Sequence, residues 1–268
     1  MWLRREQGVM ESFDFGTKQA TAKWLTSVLH ENGFLFEGKV SAVEQKETRF
    51  DSFVSTFFSL KVGYSKSSSG KMPQNMIMKL VKPEFYRESE IDFYSFVSDK
   101  DVPLPLIDCY GTEKSPETRE GYILLEDLSH THYQTQHPIP PLPEQCKDAV
   151  SVLARVHAYW WNHTCFGEPN FVLPRERHLQ RYFQQIRPAY SKFRDFLGDR
   201  LSEKRRKILD HVLDQLPELM WSRMSSPERL TLRHGDPHFW NFLFPNNTSE
   251  HECGRTMGSD WGRVTWPT

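Results

Sequence analysis

Residues 230–244 run Leu230-Thr231-Leu232-Arg233-His234-Gly235-Asp236-Pro237-His238-Phe239-Trp240-Asn241-Phe242-Leu243-Phe244, and the reading of the whole chain turns on them. Asp236 and Asn241 stand in a D-x-x-x-x-N spacing. Moving a phosphoryl group onto a hydroxyl requires a carboxylate that orients and deprotonates the acceptor. It also requires an oxygen ligand for the magnesium that neutralises the phosphates. Asp236 and Asn241 are residues of those two kinds. The apolar residues Leu230, Leu232, Phe242 and Phe244 are expected to pin the loop between two short strands on a small hairpin. A competing reading takes His234, Asp236 and His238 as a metal triad for hydrolysis, but the sequence holds no second histidine-acid cluster to complete such a site.

The run from His234 to Asn241 resembles the H-G-D-x-x-x-x-N catalytic loop of the aminoglycoside phosphotransferase and choline kinase-like small-molecule kinases, including the ecdysteroid kinase-like group. The resemblance covers most of the chain from about Phe34 to Phe244. It implies that Asp236 is the catalytic base, His234 a supporting residue of the loop, and Asn241 a magnesium ligand. Met76-Ile77-Met78-Lys79-Leu80 is similar to the family strand whose lysine grips the nucleotide phosphates, which implies that role for Lys79. Glu90-Ile91-Asp92-Phe93-Tyr94 resembles the helix whose glutamate pairs with that lysine, making Glu90 the expected partner and Glu88 the runner-up. Leu124-Leu125-Glu126-Asp127-Leu128 is similar to the hinge where backbone groups bind adenine, so Glu126 and Leu128 are expected there. Leu153-Ala154-Arg155-Val156-His157-Ala158-Tyr159-Trp160-Trp161 resembles a long helix of the family's second lobe, with His157 and the tryptophans expected in its core.

Periodicity outward from these motifs gives a matching order of elements. Two β-branched and aromatic runs, Asp51 to Tyr64 and Asn75 to Val81, flank a serine-rich stretch, the pattern of a hairpin with a long loop. Glu84 to Val97 has helical spacing, and Tyr122-Ile123-Leu124-Leu125 is a short apolar run. His130, His132 and His137 read as a polar linker leading to the prolines at 138–143, which places a lobe boundary after Leu128. Beyond it, a helix from about Glu144 to Trp161 is expected to bury Cys146, Val150, Leu153, His157 and Trp160. Another, from about Arg200 to Met224, is expected to bury Leu201, Ile208, Leu209, Val212, Leu216 and Leu219. The expected fold is α+β and two-lobed, protein-kinase-like: residues 1–128 form a nucleotide-binding lobe of antiparallel sheet plus helix, and 129–268 a helical lobe carrying the loop at 232–244.

Composition narrows the partners. The formal net charge of -1 leaves no basic excess to hold a nucleic acid. No apolar segment approaches a membrane-spanning length, and four scattered cysteines without a C-x-x-C pair suggest neither zinc nor a disulfide framework, so a cytoplasmic protein is expected. The resemblance implies ATP and Mg2+ as cofactors and a small-molecule hydroxyl as acceptor; it leaves the acceptor's identity and the oligomeric state open.

Two features depart from the family pattern. No G-x-G-x-x-G lies between Val40 and Phe53, where only Ser41, Thr48 and Ser52 offer small polar groups. The family loop is followed by an apolar strand ending in a magnesium-binding aspartate, whereas residues 246–258 here are polar before Asp260-Trp261. Asp260 therefore stands as a candidate metal ligand without its usual setting, and a surface acid is the competing reading. Only seven residues follow Trp261. This points to a shortened C-terminal lobe and to an alternative function, a catalytically inactive nucleotide-binding protein or a fragment.

Overall fold

Alternation along the strands sets the architecture in the computed structural model, which describes residues 12–48, 54–85, 88–98, 100, 102–135, 139–168, 171, 176–225, 228–232, 234–246 and 257–258. The helix α1 (Ala22–Glu31) precedes β1 (Leu35–Glu37), β2 (Val40–Glu47), β3 (Ser55–Tyr64), β4 (Ser69–Gly70) and β5 (Asn75–Val81). Next come α2 (Glu88–Ser98), β6 (Cys109–Ser115), β7 (Glu120–Glu126) and β8 (His132–Tyr133). The helices α3 (Pro143–Tyr159), α4 (Glu176–Leu197) and α5 (Glu203–Met224) follow, then β9 (Phe242–Pro245) and β10 (Met257–Gly258). The expected α+β class and antiparallel N-terminal sheet are both present.

Five strands form one antiparallel sheet in the order β2-β3-β5-β7-β6. Successive side chains on a strand point to opposite faces, so the register divides the residues cleanly. Phe58, Leu60, Met76, Met78 and Leu124 join a buried cluster with Trp24, Leu25, Val28 and Leu29 of α1. The Thr21 hydroxyl caps α1 by accepting from the Trp24 amide at 3.1 Å, fixing where that helix starts. Phe57 pairs with Lys79 and Lys79 with Ile123, so these three share the opposite face with Ile77 and its partner Leu125.

The helix α2 packs against β6 and β7. It buries Ile91, Phe93, Tyr94 and Val97. A Cβ on Gly121 would lie 2.4 Å from the Ile91 Cδ1 atom and 2.9 Å from the Glu113 carbonyl oxygen, so only glycine at 121 permits this approach. Lys114 of β6 reaches Asp92 of α2 at 2.6 Å, a second tie between helix and sheet.

Contacts divide the chain into two compact units, one from Met1–Arg155 with His234–Arg263, the other from Val156–Arg233 with Val264–Thr268. This division differs from the expected one after Leu128. The strand β8, shortly after β7, pairs with β9, just beyond the loop: His132 opposite Pro245 and Tyr133 opposite Phe244. That pairing groups the loop with the sheet. The loop is thus not on a hairpin made with Leu230 and Leu232, as expected, but beside a three-stranded sheet, β10-β9-β8. His132 is 5 % exposed, which corrects its reading as part of a polar linker.

In the second unit, Leu230 and Leu232 are buried, and the Leu230 amide donates to Asn162 Oδ1 at 3.0 Å. Thr231 Oγ1 donates to the His157 carbonyl at 2.8 Å. The Trp160 ring packs on Phe171 with centroids 5.4 Å apart. The helices α4 and α5 pack through Leu179 and Phe183 against Leu216, Met220 and Trp221.

The expected helix stripes hold in part: Trp160 and Leu201 are buried and Leu216 packs on α4, as expected, but other members are not. In α3 the buried positions are Ala149, Val152 and Val156, whereas Val150 is 64 % exposed. In α5, Ile208, Val212 and Leu219 are exposed, although they share the helical repeat expected to face inward. The helix α4, with Pro188 inside it, is absent from the expected order of elements.

Candidate functional site

Lys79 stands in the middle of β5 between buried neighbours on both sides of the chain, and its own side chain is 5 % exposed. A lysine so placed requires an anionic partner. Glu90, in the first turn of α2, supplies it: Lys79 Nζ donates to the two carboxylate oxygens at 2.8 and 2.7 Å. The ammonium also lies 5.7 Å from the Phe57 ring centroid. The structure thus joins Lys79 to Glu90.

These residues border a cleft of about 470 Å³, all of whose lining residues belong to the first unit. Its apolar walls include Phe57, Ile77, Ile107, Leu125 and Leu243. Glu126 and Leu128 lie on its rim at the end of β7, and Asn241 and Trp240 reach it from the loop. The Glu126 amide donates to the Asp108 carbonyl at 2.9 Å, and the Ser129 amide to Asp127 Oδ1 at 2.9 Å, so the chain is fixed on both sides of residues 127–128. Burial, reinforced by Asp108, raises the pKa of Glu126 against the opposing pull of Lys71.

The loop is built from short-range bonds. Gly235 has φ +90°, in the region that glycine enters without a Cβ clash. The sharp turn there lets the Asp236 amide approach His234 Nδ1 at 3.4 Å. His234 is buried and its ring stacks on Phe242, centroids 6.1 Å apart and planes 23° apart. It therefore faces into the fold and does not converge with Asp236 and His238 on a shared metal position. Among the described residues no group of three or more His, Cys, Asp or Glu could hold a metal ion.

Asp236 points outward, with its side chain 77 % exposed, and lies 3.5 Å from His238 Nε2. Asn241 is 9 % exposed; its Nδ2 donates to the Asp236 carbonyl at 3.0 Å and lies 3.3 Å from His238 Nε2. The Gln134 side chain donates to the Trp240 carbonyl at 2.7 Å, holding the loop against the segment after the hinge.

Of the sequence-derived site residues, the structure gathers Lys79, Glu90, Glu126, Leu128 and Asn241 around one cleft, with Asp236 and His234 in the same loop as Asn241. Asp260 lies outside the described residues, as do Ser52 and His137. The two-residue strand β10 does precede it: Met257 pairs with Leu243 and Gly258 with Phe242. This two-residue pairing is formed by backbone groups and is not the apolar strand of the family pattern, whose absence before Asp260 the sequence shows. The sequence reading also missed His132, Tyr133 and Gln134, which line the cleft. Their period-two alternation spans too few residues to signal a strand.

The phosphotransferase enzyme family, APH, matches residues 74–252, two thirds of the chain. The match takes in Lys79, Glu90, residues 124–128 and the loop, and the chain belongs to this family. Among solved structures it is similar to a protein of Ralstonia eutropha JMP134 assigned to the aminoglycoside phosphotransferases, at 16 % identity and a TM-score of 0.47, covering 88 % of this chain and 63 % of that one. It is also similar to a thermostable mutant of aminoglycoside phosphotransferase APH(4)-Ia, solved in ternary complex with AMP-PNP and hygromycin B. There the identity is 16 % and the TM-score 0.43, over 88 % of this chain and 70 % of that one. The chain thus spans less than two thirds of the length of the first of these. No curated protein sequence matches it.

Proposed function

We propose that this chain transfers the γ-phosphoryl group of Mg-ATP to a hydroxyl of a small molecule. The observation that carries the reading is the buried Lys79–Glu90 ion pair on the wall of a cleft that also receives Asn241. A pair held this way presents an ammonium at a fixed point, where it orients phosphate oxygens. The apolar walls between Ile77, Ile107 and Leu125 suit a flat purine, and the backbone at Glu126 and Leu128 suits its hydrogen-bonding edge. The exposed carboxylate of Asp236 is available to an acceptor hydroxyl.

The donor set fits a magnesium ion in one respect that the structure displays: the amide nitrogen of Asn241 is committed to the Asp236 carbonyl, so the amide oxygen is turned elsewhere. Oxygen ligands are what magnesium prefers. Asn241 would hold the ion, with Asp260 as the second protein ligand. The ion would supply charge neutralisation for the β- and γ-phosphates. Asp236 would take the acceptor proton as the acceptor oxygen forms its bond to the γ-phosphorus. The bond from that phosphorus to the bridging oxygen breaks, and ADP leaves.

The test is thermal unfolding of the purified chain with and without Mg-ATP, beside Lys79→Ala and Asp236→Asn. A ligand that binds only the folded state raises the midpoint. The expected result is a midpoint raised by ATP in the wild type and in Asp236→Asn, and not raised in Lys79→Ala. Transfer of label from γ-32P-ATP to a panel of alcohols then separates an enzyme from a nucleotide-binding protein without turnover. A cooperative transition indifferent to ATP would sink the proposal.

A further inference from the structure

The residue two places beyond Asp236 has no part in the roles given above, yet it touches two of the proposed functional groups. His238 Nε2 lies 3.3 Å from Asn241 Nδ2 and 3.5 Å from Asp236 Oδ2, and its side chain is 43 % exposed. Which way the Asn241 amide faces follows from chemistry. The Asp236 carbonyl, 3.0 Å away, can only accept, so the atom facing it is the amide nitrogen. That nitrogen carries two protons. One goes to the carbonyl, and the second goes to His238 Nε2 in the tautomer whose imidazole proton is on Nδ1; in the other tautomer Nε2 would instead donate toward Asp236 Oδ2, 3.5 Å away. Two acceptors set apart in space fix the amide plane, where one alone leaves it free to pivot about the Asp236 bond. The backbone adds a third tie, the Asn241 amide donating to the His238 carbonyl at 2.9 Å.

We infer that His238 is a positioning residue: by accepting the second amide proton of Asn241 it locks the carboxamide plane, so that the oxygen is held toward the cleft for a divalent cation. Outer partners of this kind orient metal ligands and set affinity without touching the metal. The inference rests on the proposed phosphotransferase reading of the site. It adds that a required side chain lies outside the D-x-x-x-x-N pair, and that what it must supply is a hydrogen-bond acceptor.

Mn2+ binding to the full chain in the presence of AMP-PNP, followed by the loss of the free-ion electron paramagnetic resonance signal, tests this without turnover. His238→Phe keeps a flat ring and removes the acceptor; His238→Gln restores one in its side-chain oxygen. His238→Phe is expected to weaken Mn2+ binding about tenfold, the lower end of the range for loss of an outer partner, and His238→Gln to recover to within about threefold of wild type. Unliganded thermal midpoints and AMP-PNP affinity without metal are expected to match the wild type in both variants. If His238→Phe binds Mn2+ as the wild type does while Asn241→Ala binds it weakly, the inference is overturned and the phosphotransferase reading stands. If Asn241→Ala also leaves Mn2+ binding unchanged, both fall.

Discussion

Replacing Lys79 by methionine should cost the protein far more stability alone than in combination with Glu90→Gln. Methionine keeps the unbranched stem that packs between β3 and β7, so the single change is close to the removal of one charge. It takes from Glu90 two charge-assisted bonds of 2.8 and 2.7 Å, at a carboxylate only 15 % exposed. Removing one partner of a buried pair costs about 3–5 kcal/mol, and the residual exposure of Glu90 argues for the lower end, about 3 kcal/mol. For a domain of this size that corresponds to a fall of about 6–12 °C in midpoint. Removing both charges is close to neutral, because the desolvation penalty of the pair goes with its attraction. The double variant should therefore recover more than half of the loss, although neither variant should respond to ATP. Urea unfolding followed by circular dichroism measures both. A single variant within about 1 kcal/mol of wild type, or a double variant as unstable as the sum of the two single changes, would refute the assignment of this pair as a buried, mutually compensating one.

Other expectations follow from single features. Gly121→Ala should destabilise by about 1–3 kcal/mol, since its Cβ would meet Ile91 and the Glu113 carbonyl, and should weaken ATP binding because the displaced helix carries Glu90; calorimetry and nucleotide titration check the two parts. Thr21→Ala should cost about 1 kcal/mol through the lost cap of α1, read from the urea midpoint, and leave the cleft unchanged. Burial lowers the pKa of His157, so below the ordinary histidine value of about 6.5 the unfolded chain takes up a proton that the folded chain holds off. Its contribution to stability is present above that value and is lost as pH falls below it. His157→Gln should accordingly show a smaller drop in thermal midpoint between pH 7.5 and 5.5 than the wild type.

The parts of the site that were legible in the sequence are those where chemistry constrains residue type. Lys79 and Glu90 are legible through the resemblance of Met76–Leu80 and Glu90–Tyr94 to the family's strand and helix, with Glu88 left as the runner-up; periodicity by itself singles out neither. The loop from His234 to Asn241 is legible because glycine, two polar side chains and flanking apolar residues occur together. By contrast β2 was not read as a strand, since as the edge of its sheet it is mostly exposed and its sequence is mostly polar. The helix α4 escaped because it is rich in Arg and Gln and contains Pro188, and few of its side chains are buried. In α5 the expected stripe is longer than the packed face: Leu216, with Met220 and Trp221, packs against α4, whereas Ile208 and Val212 on the same i+4 line are exposed, so periodicity alone does not show where along the helix the contact lies.

The bond from Gln134 to Trp240 joins residues 106 apart in sequence, whereas β3 and β5 are joined by a connection of only ten residues. Closing the longer span costs about 2 kcal/mol more in chain entropy. During synthesis the five-stranded sheet and the Lys79–Glu90 pair can form while the ribosome is still translating α3. The floor of the cleft cannot be laid until Pro245 has emerged. For that interval the nascent protein would display one assembled wall of the cleft with nothing opposite it, its apolar residues open to water. A chaperone that reads exposed Phe57, Ile77 and Leu125 would have its opportunity then, and lose it when β9 closes onto β8.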